Sequence, residues 1–132
     1  EPDFDASPET QSIGRWIQRT SPNFIHSAHS WLGHNGNLGS FRVDPGLLEA
    51  DMAEIMARID NACIKVGSEF GIEFEIYKLS NLCSGHIGDY MVTKKGVPTY
   101  CVEGHIGLGR ERLQAFGRRL IEEWLINDGL NI

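Results

Sequence analysis

Val97-Pro98-Thr99-Tyr100-Cys101-Val102-Glu103-Gly104-His105 is the stretch on which the fold turns. Val97 to Val102 is dense in β-branched and aromatic residues and reads as a buried strand. Glu103 stands at the C-terminal end of that strand, with Gly104 and His105 after it. A carboxylate is costly to bury without a partner, and in open α/β sheets the carboxyl ends of the strands are where ligands bind. Just upstream, Ser84 to Gly88 reads as a small-residue loop, Asp89 to Lys94 as a short helical turn, and Gly96 as its end. Taken alone, the stretch fits a turn, a core strand and a solvated acid equally well.

Working outward, a second strand end supplies an imidazole. Asn23 to His29 reads as a strand that ends on His29-Ser30-Trp31 and opens a Gly/Asn-rich loop to Asn37. Alternation puts His26 on the face opposite His29, and His34 falls in the loop. Helices fill the gaps between the strands. Ser7-Pro8-Glu9 is a helix start, with Ser as N-cap and Pro in the first turn, and the helix runs to about Arg19 with an apolar face of Ile13, Trp16 and Ile17. Asp44-Pro45 opens a long helix from Leu47 to about Phe70. Its stripe of Leu48, Met52, Ile55, Met56, Ile59, Cys63, Val66 and Phe70 is core packing, and Gly71 is its C-cap. Ile72 to Leu79 alternates as a strand with one wet face. Gly104 to Gly109 reads as a loop, and a last helix from about Arg110 to Asn127 carries Leu113, Phe116, Leu120, Ile121, Trp124 and Leu125. This order predicts an α/β fold, a mixed open sheet with helices packed on both faces.

The chain has 132 residues, 41% of them hydrophobic, which suffices for one domain with a real core. The net charge of −6 without a basic run argues against nucleic acid, and no apolar run reaches membrane-spanning length. The three cysteines, Cys63, Cys83 and Cys101, lack zinc-ribbon spacing. Cys63 and Cys101 read as small buried hydrophobes, and one disulfide remains open. The sequence does not distinguish a cytoplasmic from a secreted or periplasmic location.

An imidazole and a carboxylate at neighbouring strand ends suit metal-assisted hydrolysis, because zinc takes nitrogen ligands and a nearby Glu can act as base. At this point the chain resembles the zinc metallocarboxypeptidases, over nearly its whole length. The motifs that carry the resemblance are Ser7-Pro-Glu-Thr before the first strand, His29-Ser30-Trp31 at its end, the helix ending Phe70-Gly71, Ser84-Gly-His-Ile-Gly-Asp89-Tyr90, and Gly96-Val-Pro-Thr-Tyr-Cys-Val-Glu103. The resemblance implies one zinc ion with His29 as its third protein ligand and Glu103 as the catalytic base. It implies that Ser30 and Trp31 help form the substrate cleft, and that Gly88 and Asp89 belong to the loop lining the specificity pocket. His86 lies in the same loop, and Asn81 falls near the place of the family's substrate-capping tyrosine. The implied substrate is a peptide cleaved at its C-terminal amide bond.

The family's paired His-x-x-Glu ligands occur nowhere in this sequence. The resemblance therefore implies the C-terminal portion of a catalytic domain, residues 1–132, with the first two zinc ligands expected upstream or from another chain and weak zinc binding by this chain alone. Two alternatives stay open. One is a zinc deacylase of N-acyl amino acids, like aspartoacylase or succinylglutamate desuccinylase. The other is a non-catalytic binding module derived from the fold.

Overall fold

A computed structural model of the chain describes residues 7–31, 38–79 and 91–127. The elements in order are α1 (Pro8–Thr20), β1 (Ile25–Trp31), β2 (Leu38–Val43), α2 (Ala50–Glu69), β3 (Phe74–Leu79), β4 (Thr99–His105) and α3 (Arg110–Glu122). One-turn segments at Pro45–Leu47, Met91–Lys95 and Ile106–Leu108 join them, and a wider-wound turn, Glu123–Asn127, continues α3. The four strands form one sheet in the order β1-β4-β2-β3. β1 pairs parallel with β4, β4 antiparallel with β2, and β2 parallel with β3, so the sheet is mixed.

The helix ends form for the reasons visible in the sequence. The Ser7 hydroxyl accepts from the Thr10 amide at 3.2 Å and so caps α1. At the end of α2, Gly71 takes φ +67°. The Ile72 amide donates to the Gly67 carbonyl at 2.9 Å and the Gly71 amide to the Ser68 carbonyl at 3.0 Å. This double closure satisfies the last carbonyls and turns the chain into β3. Gly96, also at φ +67°, ends the turn at Met91–Lys95.

The core lies between one face of the sheet and the helices α2 and α3. Met56, Ile59, Cys63 and Val66 of α2 meet Phe74 of β3, Tyr100 and Val102 of β4, and Phe116, Leu120 and Trp124 at the C-terminal end of the chain. Trp124 stands edge-on to Phe24, His26 and Tyr100. A polar contact crosses this core: the Tyr100 hydroxyl donates to Asp60 Oδ1 at 2.5 Å, beside the fully buried Cys63. At the rim, Arg119 grips Glu69 of α2 with two hydrogen bonds of 2.9 and 3.0 Å. Among the described residues no helix is long and apolar enough to cross a membrane.

Several expectations are corrected. Leu38–Val43 is a strand in the middle of the sheet, where none was expected. It is short and holds Gly39 and Ser40, so its own sequence carries little strand signal, and its pairing on both sides makes it one. β1 runs on to Trp31 and β4 to His105, because Ser30 and Trp31 pair with Gly104 and His105. The long helix begins at Ala50, since Asp44 closes a separate turn by accepting from the Gly46 amide at 2.9 Å. Ile121 and Leu125 are 45% and 60% exposed. They lie one position, about 100° of helix rotation, beyond the buried Leu120 and Trp124. Ile13 and Trp16 of α1 are likewise exposed and Ile17 alone of that face is buried. Among the described residues, α2 and α3 build the core on one face of the sheet.

Two outcomes test this packing. A Cβ at Gly67 would stand 2.9 Å from the Ile72 carbonyl oxygen, a backbone atom that cannot swing aside. Gly67→Ala should therefore destabilise the fold by about 1–3 kcal/mol, against the gain of up to about 1 kcal/mol that alanine brings to an open helix; a stabilised variant in urea unfolding would contradict the packing. His26 is half-buried against Trp124, and burial holds its pKa below the ordinary 6.5. The unfolded chain then takes up the proton first, so stability is lost as pH falls below 6.5. The thermal midpoint should drop between about pH 7.5 and 5.5, and His26→Leu should flatten that drop.

Candidate metal centre

The face of the sheet opposite the core carries a row of polar groups. Parallel pairing sets His29 of β1 against Glu103 of β4, and Ser27 against Cys101. Antiparallel pairing sets Gly39 of β2 against Glu103, and β3 brings Glu75 opposite Gly39. Partners in register point to the same side of a sheet, so Ser27, His29, Cys101, Glu103 and Glu75 share one face. Tyr77, two residues on from Glu75, shares it too. Alternation accounts for the division: Tyr100 and Val102 go to the core, and Cys101 and Glu103 go to the other side.

The side chains converge. One ligand atom each from His29, Cys101 and Glu103 lies within 4.8 Å of the other two. His29 is exposed, and Cys101 and Glu103 are half-buried. The His29 Nε2 atom is 2.9 Å from the Ser27 hydroxyl, and the Cys101 thiol donates to Glu103 Oε1 at 3.4 Å. Burial pushes the Cys101 pKa up to about 12, helped by the charge and hydrogen bond of Glu103 and opposed by a hydrogen bond from Ser27. The thiol is therefore held protonated at neutral pH. Farther along the face the Tyr77 hydroxyl donates to Glu75, which raises the Tyr77 pKa to about 12. A Cβ at Gly39 would meet the Glu75 carbonyl at 3.1 Å and the Tyr77 ring at 3.4 Å, so glycine there lets the ring lie over β2.

Of the site residues expected from the sequence, His29 and Glu103 come together on adjacent strands. Glu103 does so from inside β4 rather than from its end, because the strand continues to His105. Ser30 and Trp31 are the next residues of β1, in register with Gly104 and His105. Asn81, His86, Gly88 and Asp89, with Tyr90 and His34, lie outside the described residues. His26 falls on the core face, away from His29, as alternation requires. Cys101 is a correction. It reads as a buried core residue from its apolar neighbours, yet its side chain faces His29 and Glu103. The signal was available, since Cys101 stands two positions before Glu103 and must share its face. Cys63 and Cys101 are both free thiols, one in the core and one half-buried on the opposite face.

Nitrogen, sulfur and oxygen donors at this spacing suit a borderline-soft divalent cation such as zinc, and suit magnesium or calcium poorly. No protein-family model, curated protein or solved structure matches the chain.

With its pKa near 12, Cys101 should hold only about one part in 10⁵ as thiolate at neutral pH, and alkylation should be slow. Glu103→Gln removes the neighbouring charge and should speed alkylation of Cys101, read by peptide mass spectrometry in metal-free protein. An unchanged rate would contradict the coupling between the two side chains.

Proposed function

We propose that the chain supplies part of the active site of a zinc-dependent amide hydrolase of the metallocarboxypeptidase kind, with His29 as a metal ligand and Glu103 as the general base. The observation that carries this reading is the pairing of His29 with Glu103 across β1 and β4, on the face of the sheet opposite the core cluster. The donor set there fits zinc by its chemistry. Bound zinc supplies Lewis acidity, which polarises a substrate carbonyl and makes water a better nucleophile.

The chain's own residues then divide the work. His29 is exposed and can turn its Nε2 lone pair from Ser27 to a cation. Glu103 is a half-buried carboxylate with one oxygen accepting from Cys101. It can take a proton from an attacking water and return it to the leaving amine. The β1–β4 backbone pairing holds the two groups in register before substrate arrives, so little orientation is left to be gained during the reaction. The resemblance assigns the site two further protein ligands, and no His-x-x-Glu pair in this sequence supplies them. The substrate proposed is a peptide with a free C-terminus, and an N-acyl amino acid is the competing class.

The test is a panel of both substrate classes offered, with zinc, to the protein that carries this chain. Release of the C-terminal residue from peptides supports the carboxypeptidase reading, and cleavage of N-acyl amino acids alone moves it to a deacylase. Glu103→Gln should lower kcat by about 10²–10⁴-fold while zinc stays bound in equilibrium dialysis. Turnover that survives this substitution would sink the role given to Glu103.

A further inference from the structure

Cys101 belongs to the donor set but has no assigned role in the reading above, and it stands beside the two residues that do. Its sulfur, the His29 imidazole and the Glu103 carboxylate each offer an atom within 4.8 Å of the others. We propose that Cys101 is a second ligand of the cation that His29 holds, so that this chain gives the ion one sulfur and one nitrogen, with the Glu103 carboxylate beside it. The proposal rests on reading this face as a metal site, and it changes the site's chemistry from nitrogen and oxygen donors to a set that includes sulfur.

The geometry points to this in three ways. A sulfur at about 2.3 Å and a nitrogen at about 2.0–2.1 Å from one tetrahedral ion lie roughly 3.6 Å apart, so only a small closure from the observed spacing is needed. That closure falls on His29, whose side chain is exposed. Its Nε2 already bonds Ser27, the residue in register with Cys101, so the imidazole is already turned toward the sulfur. The other cysteine among the described residues, Cys63, is fully buried on the opposite face and cannot compete. When the sulfur–metal bond forms, the thiol proton leaves to solvent, and no oxidant or reductant is needed. A thiolate ligand selects zinc, cobalt or cadmium over magnesium and calcium.

Cobalt(II) titration of the whole chain under anaerobic conditions reads this out without any substrate. Thiolate bound to cobalt gives a sulfur-to-metal charge-transfer band in the near ultraviolet. The band should appear in the wild-type chain and in Cys83→Ser and level off at one cobalt bound per chain. It should be lost in Cys101→Ser and in Cys101→Ala, with cobalt affinity weakened at least about tenfold. Circular dichroism checks that both variants keep their fold, and two variants guard against one failing to do so. Cobalt bound at one equivalent with no such band, or with a band that only Cys83→Ser removes, overturns the role of Cys101 and leaves the His29 site standing. Failure of the wild-type chain to bind cobalt even at the top of the titration, where a weak two-ligand site would fill, overturns both.

Discussion

The parallel hydrogen-bonded pairing of β1 with β4 is the constraint on which the rest of this structure depends. β4 is an interior strand, bonded on its other side to β2. Its register therefore sets the whole sheet. A slip of one residue would invert the faces and send Cys101 and Glu103 into the core while Tyr100 and Val102 turned to the open side. The polar face exists because the apolar face is held.

What holds it is the packing of α2 and α3 on one side. Tyr100 is 1% exposed and Trp124 likewise, and Ile59, Cys63, Val66 and Leu120 are at 0%. Burying a side chain of valine or phenylalanine size is worth about 1.5–3 kcal/mol, so a register that exposed these groups would cost a large share of a small domain's stability. The polar contact from Tyr100 to Asp60 adds direction, since a buried acid needs its donor in one place. The Arg119–Glu69 pair at the rim adds little, because solvent screens it, whereas Lys65 and Arg119 give the buried Glu123 carboxylate the partners it needs. The candidate site is thus a by-product of core formation in the literal sense: alternation along β4 leaves Cys101 and Glu103 nowhere else to go.

The sequence made the long periodic elements legible. The stripe of α2 reads directly from Met52 to Val66, and Gly71 and Gly96 mark their turns because both sit at positive φ. His29 and Glu103 could be chosen because each is a chemically capable residue near the exit of an apolar strand. β2 could not be read, since Leu38–Val43 is a strand by virtue of its two partners and not of its own pattern. The ends of β1 and β4 were misplaced for the same reason, as pairing extends both. Cys101 was misassigned because its neighbours in sequence, Tyr100 and Val102, are core residues, and a period of two separates neighbours onto opposite faces. The exposure of Ile13 and Trp16 has no sequence signature, because an amphipathic pattern does not say whether the apolar face is covered.

Paramagnetic line broadening tests the central claim most directly. Cobalt(II) added in small amounts to isotopically labelled chain broadens backbone amide signals steeply with distance from the ion. The account predicts that His29, Cys101 and Glu103 broaden first, and that the Trp124 indole and the amide of Cys63, across the sheet, broaden last. Broadening centred anywhere else, or spread evenly over the acidic surface, would contradict a metal site on the β1–β4 face.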